Sequence, residues 1–345
     1  MRVLTTLPQA DLRTTAAAAK AAEAAGYDAL LTMENKHDPF LAHAIAAVSS
    51  TRIELGTSVA IAFPRSPMVV ANACWDLQNA SQGRFVLGIG PQIRPHNERR
   101  FSVPWTAPVP RLREYVHALR AIWATWEKGE KLDVRGHHYT FTLMPPYFMP
   151  PSTGQRMVPI TLAAVGEHSL RLAGEVADGV RLHGFCTKQY LQDVILPRLH
   201  EGMARTSRTR QHFEITGGGF VATGRNEEET AKMFEIVRGR IAFYGSTPGY
   251  WPVLDLHGLG DLGRELNAMS KAGKWTEMAS RVSDHVVHLF TAVGTHAEIA
   301  DRFGGLSDAI NLRPDSSGAG GDIPPDVIQE IKRIPTPFQG YRTAW

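Results

Sequence analysis

The residues from Arg52 to Glu98 restrict this chain more than any other stretch. Two apolar, β-branched runs, Ile53 to Ile61 and Arg84 to Ile89, enclose a segment of helical period from Pro67 to Gln82. Strand, helix, strand is a βαβ unit, and such units build parallel sheets with a right-handed crossover.

The rest of the chain repeats the alternation. Met1 to Leu7 reads as strand one. The Ala-rich segment Asp11 to Ala25 reads as a helix ended by Gly26, Tyr27 to Met33 as strand two and Asp38 to Ser50 as helix two. Arg111 to Lys128 carries Leu112, Tyr115, Val116, Leu119, Ile122, Trp123 and Trp126 near a 3.6-residue period, an apolar stripe of core type. Strand five is expected at Val158 to Val165, six at Gly179 to His183, seven at Phe213 to Ala222 and eight at His285 to Ala292. The later helices start near Glu167, Thr187, Asn226 and Thr295. Eight strands alternating with helices predict an α/β fold, a (β/α)8 TIM barrel with insertions.

A chain of 345 residues with 43% hydrophobic content can bury one large core. One domain spanning 1–345 is expected, with excursions at 129–157 and 243–283. In the first, prolines 145, 146, 150 and 151 follow a short hairpin segment, Gly136 to Phe141. The second is too long for a structureless connection, so short helices are expected at Leu262 to Lys271 and Trp275 to Val282. It reads equally as a packing insertion or as a lid or substrate wall. Pro335 to Trp345 reads as a loose or docking tail.

Several classes of function are excluded as expectations. There is no uncharged apolar run of about 18 residues for a membrane span and no signal-peptide pattern at the N-terminus, so a cytoplasmic protein is expected. The two cysteines, Cys74 and Cys186, have no zinc spacing and are expected as free thiols; no metal is expected. The basic run Arg205 to Arg210 follows a predicted helix without aromatic interleaving, which argues against nucleic acid and for a small-molecule substrate.

The block RIELGTSVAIAFPRSPMVVANACWDLQNASQGRFVLGIG resembles the centre of the bacterial luciferase-like oxidoreductases, in the branch that uses the deazaflavin coenzyme F420. The resemblance extends from about Met1 to Leu312. It implies hydride transfer between F420 and a small organic substrate. The alternatives are an FMN-dependent monooxygenase supplied with reduced flavin by a separate reductase, and an inactive flavin-binding protein. A homodimer is the expected assembly. The resemblance also implies a cis peptide between Ser58 and Val59, and a ring site near Ser58, Val59, Gly88 and Gly90. The turn Ala163-Ala164-Val165-Gly166 is similar to the one with which relatives hold the coenzyme's phosphate-bearing tail, since a helix N-terminus there offers free N–H groups.

The candidate catalytic residues follow strands two and four. In Glu34-Asn35-Lys36-His37-Asp38-Pro39-Phe40, Glu34-Asn35 stands nearest the adjacent aspartate and histidine of relatives, with His37 shifted and Phe40 standing where an aromatic is expected. Asp38 reads alternatively as a helix N-cap. The run Gly90 to Phe101, GPQIRPHNERRF, is similar to one subgroup of the F420 branch and makes Gln92 and His96 candidates; Ile93 stands where better-known relatives carry a glutamate. Histidine titrates near neutrality, so His96 is the expected proton donor or acceptor, with Glu34 and Gln92 orienting and His37 as substitute. Trp105, Tyr147, Phe148 and Trp251 are candidates for a hydrophobic substrate wall or for cover of the barrel rim.

Overall fold

The computed structural model describes residues 1–312 and 322–342, so the end of the expected tail, 343–345, lies outside the described residues. Among them, eight parallel strands close into a barrel: one (Arg2–Thr6), two (Ala29–Thr32), three (Glu54–Thr57), four (Phe85–Gly90), five (Ile160–Ala163), six (Gly179–Arg181), seven (Glu214–Thr216) and eight (Ala309–Asn311). Leu55 opposite Phe85 joins strand three to four, and Arg2 opposite Ala309 joins one to eight. Strands two, four, six and seven are buried at every residue, as a parallel sheet wrapped by helices requires.

The helices follow their local signals. Thr15–Ala25 ends at Gly26, whose φ of +93° is the left-handed stop. Pro67–Ala80 begins behind Ser66, whose hydroxyl accepts from the Met68 N–H, with Pro67 in the first helical position. Pro108–Lys128 buries all seven stripe residues named above.

Strands seven and eight depart from expectation. The segment Phe213 to Ala222 is two strands, because Gly217, Gly218 and Gly219 all take positive φ and turn the chain out of the barrel. The outer piece, Phe220–Gly224, pairs in parallel with Thr291–Thr295 in a separate sheet. The expected eighth strand, His285 to Ala292, is instead mostly the helix Asp284–Phe290, capped by Ser283 and burying Val286, Val287 and Phe290. The helix expected near Thr295 is only a short 3-10 turn, Ile299–Arg302, although Glu298 does accept from the Thr295 N–H.

The excursions fold as local units. Val134–Arg135 and Thr140–Phe141 form the hairpin, and Glu114 anchors it by accepting from the N–H groups of His137, His138 and Tyr139. In the second excursion the helix is Gly260–Lys271, while the segment Trp275 to Val282 holds only the 3-10 turn Met278–Arg281. This excursion reaches the C-terminal side of the barrel: Tyr250 packs at a tilt against His183 just after strand six, 4.7 Å between centroids, and His257 Nε2 lies 2.8 Å from Thr187 Oγ1.

The opposite end of the barrel is closed by charge. Glu214, fully buried at the start of strand seven, is paired with Arg2 of strand one and Arg181 of strand six, and Tyr341 from the tail donates to it at 2.6 Å. Burial alone would raise the Glu214 pKa, but Arg2, Arg181 and the Tyr341 hydroxyl outweigh it and lower it from 4.5 to about 2. A depressed carboxylate contributes stability that is complete above its unfolded value and lost as pH falls from about 4.5 toward 2. Tyr341→Phe is therefore expected to cost about 1–3 kcal/mol at pH 7, the price of a buried acceptor left short of a donor. Its acid unfolding should begin at higher pH. Urea unfolding of both proteins between pH 7 and 2 checks this, and coincident curves would show that the tail does not support the barrel floor.

Candidate active site

The C-terminal ends of strands two, three and four meet through their backbones. Thr32 Oγ1 donates to the Pro39 carbonyl at 2.7 Å, and the single Nε2–H of the buried His43 is shared between Thr32 Oγ1 and the Gly56 carbonyl, at 2.9 and 3.0 Å. Burial holds His43 at a pKa of about 4, so this clip is neutral near pH 7. It sets the loop that carries Glu34 and His37 against strand three.

The Ser58–Val59 peptide is cis, at the point where strand three ends. The Ser58 N–H donates to the Thr32 carbonyl at 2.7 Å, and Ala62 N–H to the Gly90 carbonyl at 2.9 Å, so loops two, three and four are tied in series. Arg100 closes the series by donating to the Asn35 carbonyl.

The structure places the candidates in different surroundings. Both oxygens of Glu34 are engaged, by the Ile61 N–H at 2.6 Å and by Arg65 at 2.7 and 2.8 Å, and its side chain is 6% exposed. Arg65 also reaches Asp38 at 3.1 Å, and Asp38 accepts from the N–H groups of Phe40 and Leu41 at the start of helix two, the capping role. His37 is exposed in the loop. Gln92 has φ of +57° and accepts from its neighbour Ile93 N–H at 2.9 Å. His96 is half-buried and opens an irregular turn, His96–Arg100; the imidazoles of His37 and His96 make no hydrogen bond among the described residues.

Gly88 serves packing. A Cβ there would collide with the Thr57 carbonyl, while Thr57 Oγ1 donates to the Gly88 carbonyl at 2.6 Å and accepts from its N–H at 2.9 Å. A Cβ at Gly90 would lie 3.0 Å from Ala163 and 3.2 Å from Val59. Gly166 differs: it is exposed, has φ −82° and ψ 157°, and a Cβ would meet nothing within 4 Å. It caps the helix Glu167–Val176, with Ala164 buried and Val165 exposed beside it.

A cavity of about 530 Å³ opens at the mouth beside Leu31, Met33 and Ser58 and extends past Gly217–Gly219 to the outer strand pair. Of the candidates, Ser58 alone lines it. Trp105, Tyr147, Phe148 and Trp251 do not: Tyr147 and Phe148 are exposed, Trp105 packs on Phe63, and Trp251 donates to the Gly245 carbonyl at 3.0 Å.

The residue that the sequence did not disclose is His183. It lines the cavity after strand six, between Tyr244 and Tyr250, and burial holds its pKa at about 4. Its Nδ1 accepts from the Phe185 N–H at 2.9 Å, so the neutral ring carries its proton on Nε2. No motif marks it, since Tyr250 arrives from an excursion 67 residues further on.

Among the described residues no group of His, Cys, Asp and Glu is arranged to hold a metal, no helix is long and apolar enough to cross a membrane, and both cysteines are free.

Comparison with known proteins agrees with this architecture. Residues 2–310 match the family model of the luciferase-like monooxygenases. An uncharacterized protein of Mycobacterium tuberculosis is 47% identical over 82% of this chain and 83% of its own length. An F420-dependent glucose-6-phosphate dehydrogenase of Beutenbergia cavernae is 33% identical over 49% of each chain. Among solved structures, the coenzyme F420 dependent tetrahydromethanopterin reductase of Methanopyrus kandleri superposes with a TM-score of 0.77 at 18% identity, over 96% of this chain and 97% of that one.

Proposed function

The chain belongs to the luciferase-like monooxygenase family, and from that premise we propose that it is an oxidoreductase that moves a hydride between coenzyme F420 and a small organic substrate. The observation that carries this reading is the open barrel mouth. The cavity passes Ser58, at the cis peptide that ends strand three, and the helix N-terminus at Gly166, which has no side-chain cap, follows strand five with no atom within 4 Å of where a Cβ would stand. The residues present fit such a group: backbone N–H groups at a helix start favour a phosphate, and the cavity offers more apolar than polar wall. The F420-dependent relative supports deazaflavin over flavin.

When bound, the coenzyme supplies or accepts the hydride at its carbon 5. The chain's own groups do the rest. Ser58, Val59 and Gly90 would present backbone to the coenzyme ring at the mouth, and Ala164, Val165 and Gly166 would hold its tail. Glu34, fixed by Arg65 and the Ile61 N–H, orients the loop rather than exchanging protons, while the His96 imidazole, which makes no hydrogen bond among the described residues, is the candidate for proton exchange. Titration of the protein with F420 and with FMN, followed by tryptophan fluorescence, tests the reading; tight FMN binding with no F420 binding would replace it by the flavin monooxygenase.

Gly166→Asp locates the tail. Aspartate is a favoured N-cap and its Cβ meets nothing, so the helix stays intact. A negative charge beside a phosphate is expected to raise the coenzyme Kd by at least about tenfold. An unchanged Kd would put the tail elsewhere.

A further inference from the structure

The cavity has a one-sided charge. Among the described residues that line it none is aspartate or glutamate, whereas Arg181, Lys188, Arg240 and Arg302 all do. Arg181 is neutralised by Glu214 at 3.1 Å. Lys188 and Arg302 form no hydrogen bond or salt bridge among the described residues. They share one rim: Lys188 Nζ lies 3.5 Å from where a Cβ on Gly304 would stand, two residues beyond Arg302. Arg302 lies within electrostatic reach of Glu298, while Lys188 has no carboxylate partner among the described residues. The wall behind them is apolar and aromatic, from Leu191, Phe220, Leu289 and Phe290.

We propose that this part of the cavity is the substrate site and takes an organic anion with an apolar body, its charged group held by Lys188 and Arg302 and a neutral oxygen of the molecule held by the Nε2–H of His183. The proposal rests on the hydride-transfer reading above and adds the substrate class to it. His183 suits the part because its ring is clamped between two tyrosines and its proton is confined to Nε2, which has no protein partner among the described residues. A ring that stays neutral in a basic cavity offers a hydrogen bond without adding charge. The same rim could serve the anionic tail of the coenzyme, so the experiment measures both ligands.

The probes are 4-oxo-4-phenylbutanoate and the uncharged 4-hydroxy-1-phenylbutan-1-one, which both carry a neutral ketone oxygen, titrated calorimetrically into the full chain, with F420 titrated in parallel. The acid is expected to bind saturably and the alcohol at least about tenfold more weakly. Lys188→Ala and Arg302→Ala should each weaken the acid about tenfold, leaving the alcohol and the coenzyme within about twofold. His183→Gln, whose amide nitrogen can replace Nε2, should retain binding of both probes, and His183→Phe should weaken both. Equal binding of acid and alcohol, no saturable binding of the acid, or indifference of the acid to both rim variants would overturn the proposal. So would rim variants that lose coenzyme affinity and keep the acid's. Acid binding with the expected pattern in a protein that binds neither F420 nor FMN would sustain the anion site and remove the hydride-transfer reading instead.

Discussion

His96→Ala is expected to lower turnover by about 10²–10⁴-fold while leaving coenzyme affinity within a few-fold, the range that a positioned general acid or base contributes. Reduction of a polarised double bond needs a proton as well as a hydride, and oxidation of an alcohol needs a base. Three titratable side chains were expected near the mouth. Glu34 has both oxygens committed to Arg65 and the Ile61 N–H, so taking a proton there would break an ion pair that holds loop two. His37 stands exposed on that loop. His96 is half-buried, follows strand four, and keeps its imidazole free of protein hydrogen bonds among the described residues. Glu34→Gln should accordingly act through the loop, lowering stability and turnover together. Steady-state rates with a substrate that the wild type turns over, beside coenzyme titrations, separate the roles. Wild-type turnover in His96→Ala removes it from the mechanism, and loss of coenzyme binding alone makes it a cofactor ligand.

Gly88→Ala is expected to cripple folding. The added methyl would meet the Thr57 carbonyl, a backbone atom that no rotamer change can move. Thr57 is also locked to Gly88 through its hydroxyl on both sides, N–H and carbonyl. Overpacking usually costs about 1–3 kcal/mol, and a collision that also opens two buried hydrogen bonds belongs at or above the top of that range. Gly166→Ala, with nothing within 4 Å of its Cβ, is the control and should sit within about 0.5 kcal/mol of wild type. Urea midpoints compare the three proteins; a Gly88→Ala midpoint equal to wild type would mean that strands three and four do not approach so closely.

These two positions show where sequence reading stops. A glycine between apolar strand residues signals close approach, but whether a ligand or another strand comes close is a matter of what lies opposite. At Gly88 it is Thr57, brought there by barrel closure. At His96 the spacing shows that a histidine follows a strand, and only the packing shows that its ring has no hydrogen bond among the described residues while that of His43 is locked to Thr32 and Gly56.

Local chemistry determined the first half of the molecule. The βαβ block, the alanine-rich helix with its Gly26 stop, and the seven-residue stripe of Pro108–Lys128 each carry a period or a cap that no distant contact contradicts. The tertiary structure decided the last third. Strand eight is only Ala309–Asn311, too short to show a period, and it is set by pairing with strands one and seven and by Asp308, whose buried carboxylate accepts from the Ile215 N–H at 2.7 Å. The more β-like run from His285 became a helix because Ser283 caps it and Val286, Val287 and Phe290 fall on one helical face toward the core. Residues 243–283 wrap round to the mouth, which is what sets Tyr250 against His183. Short strands and long connections take their conformation from partners far along the chain, and a window of neighbouring residues carries no record of those partners.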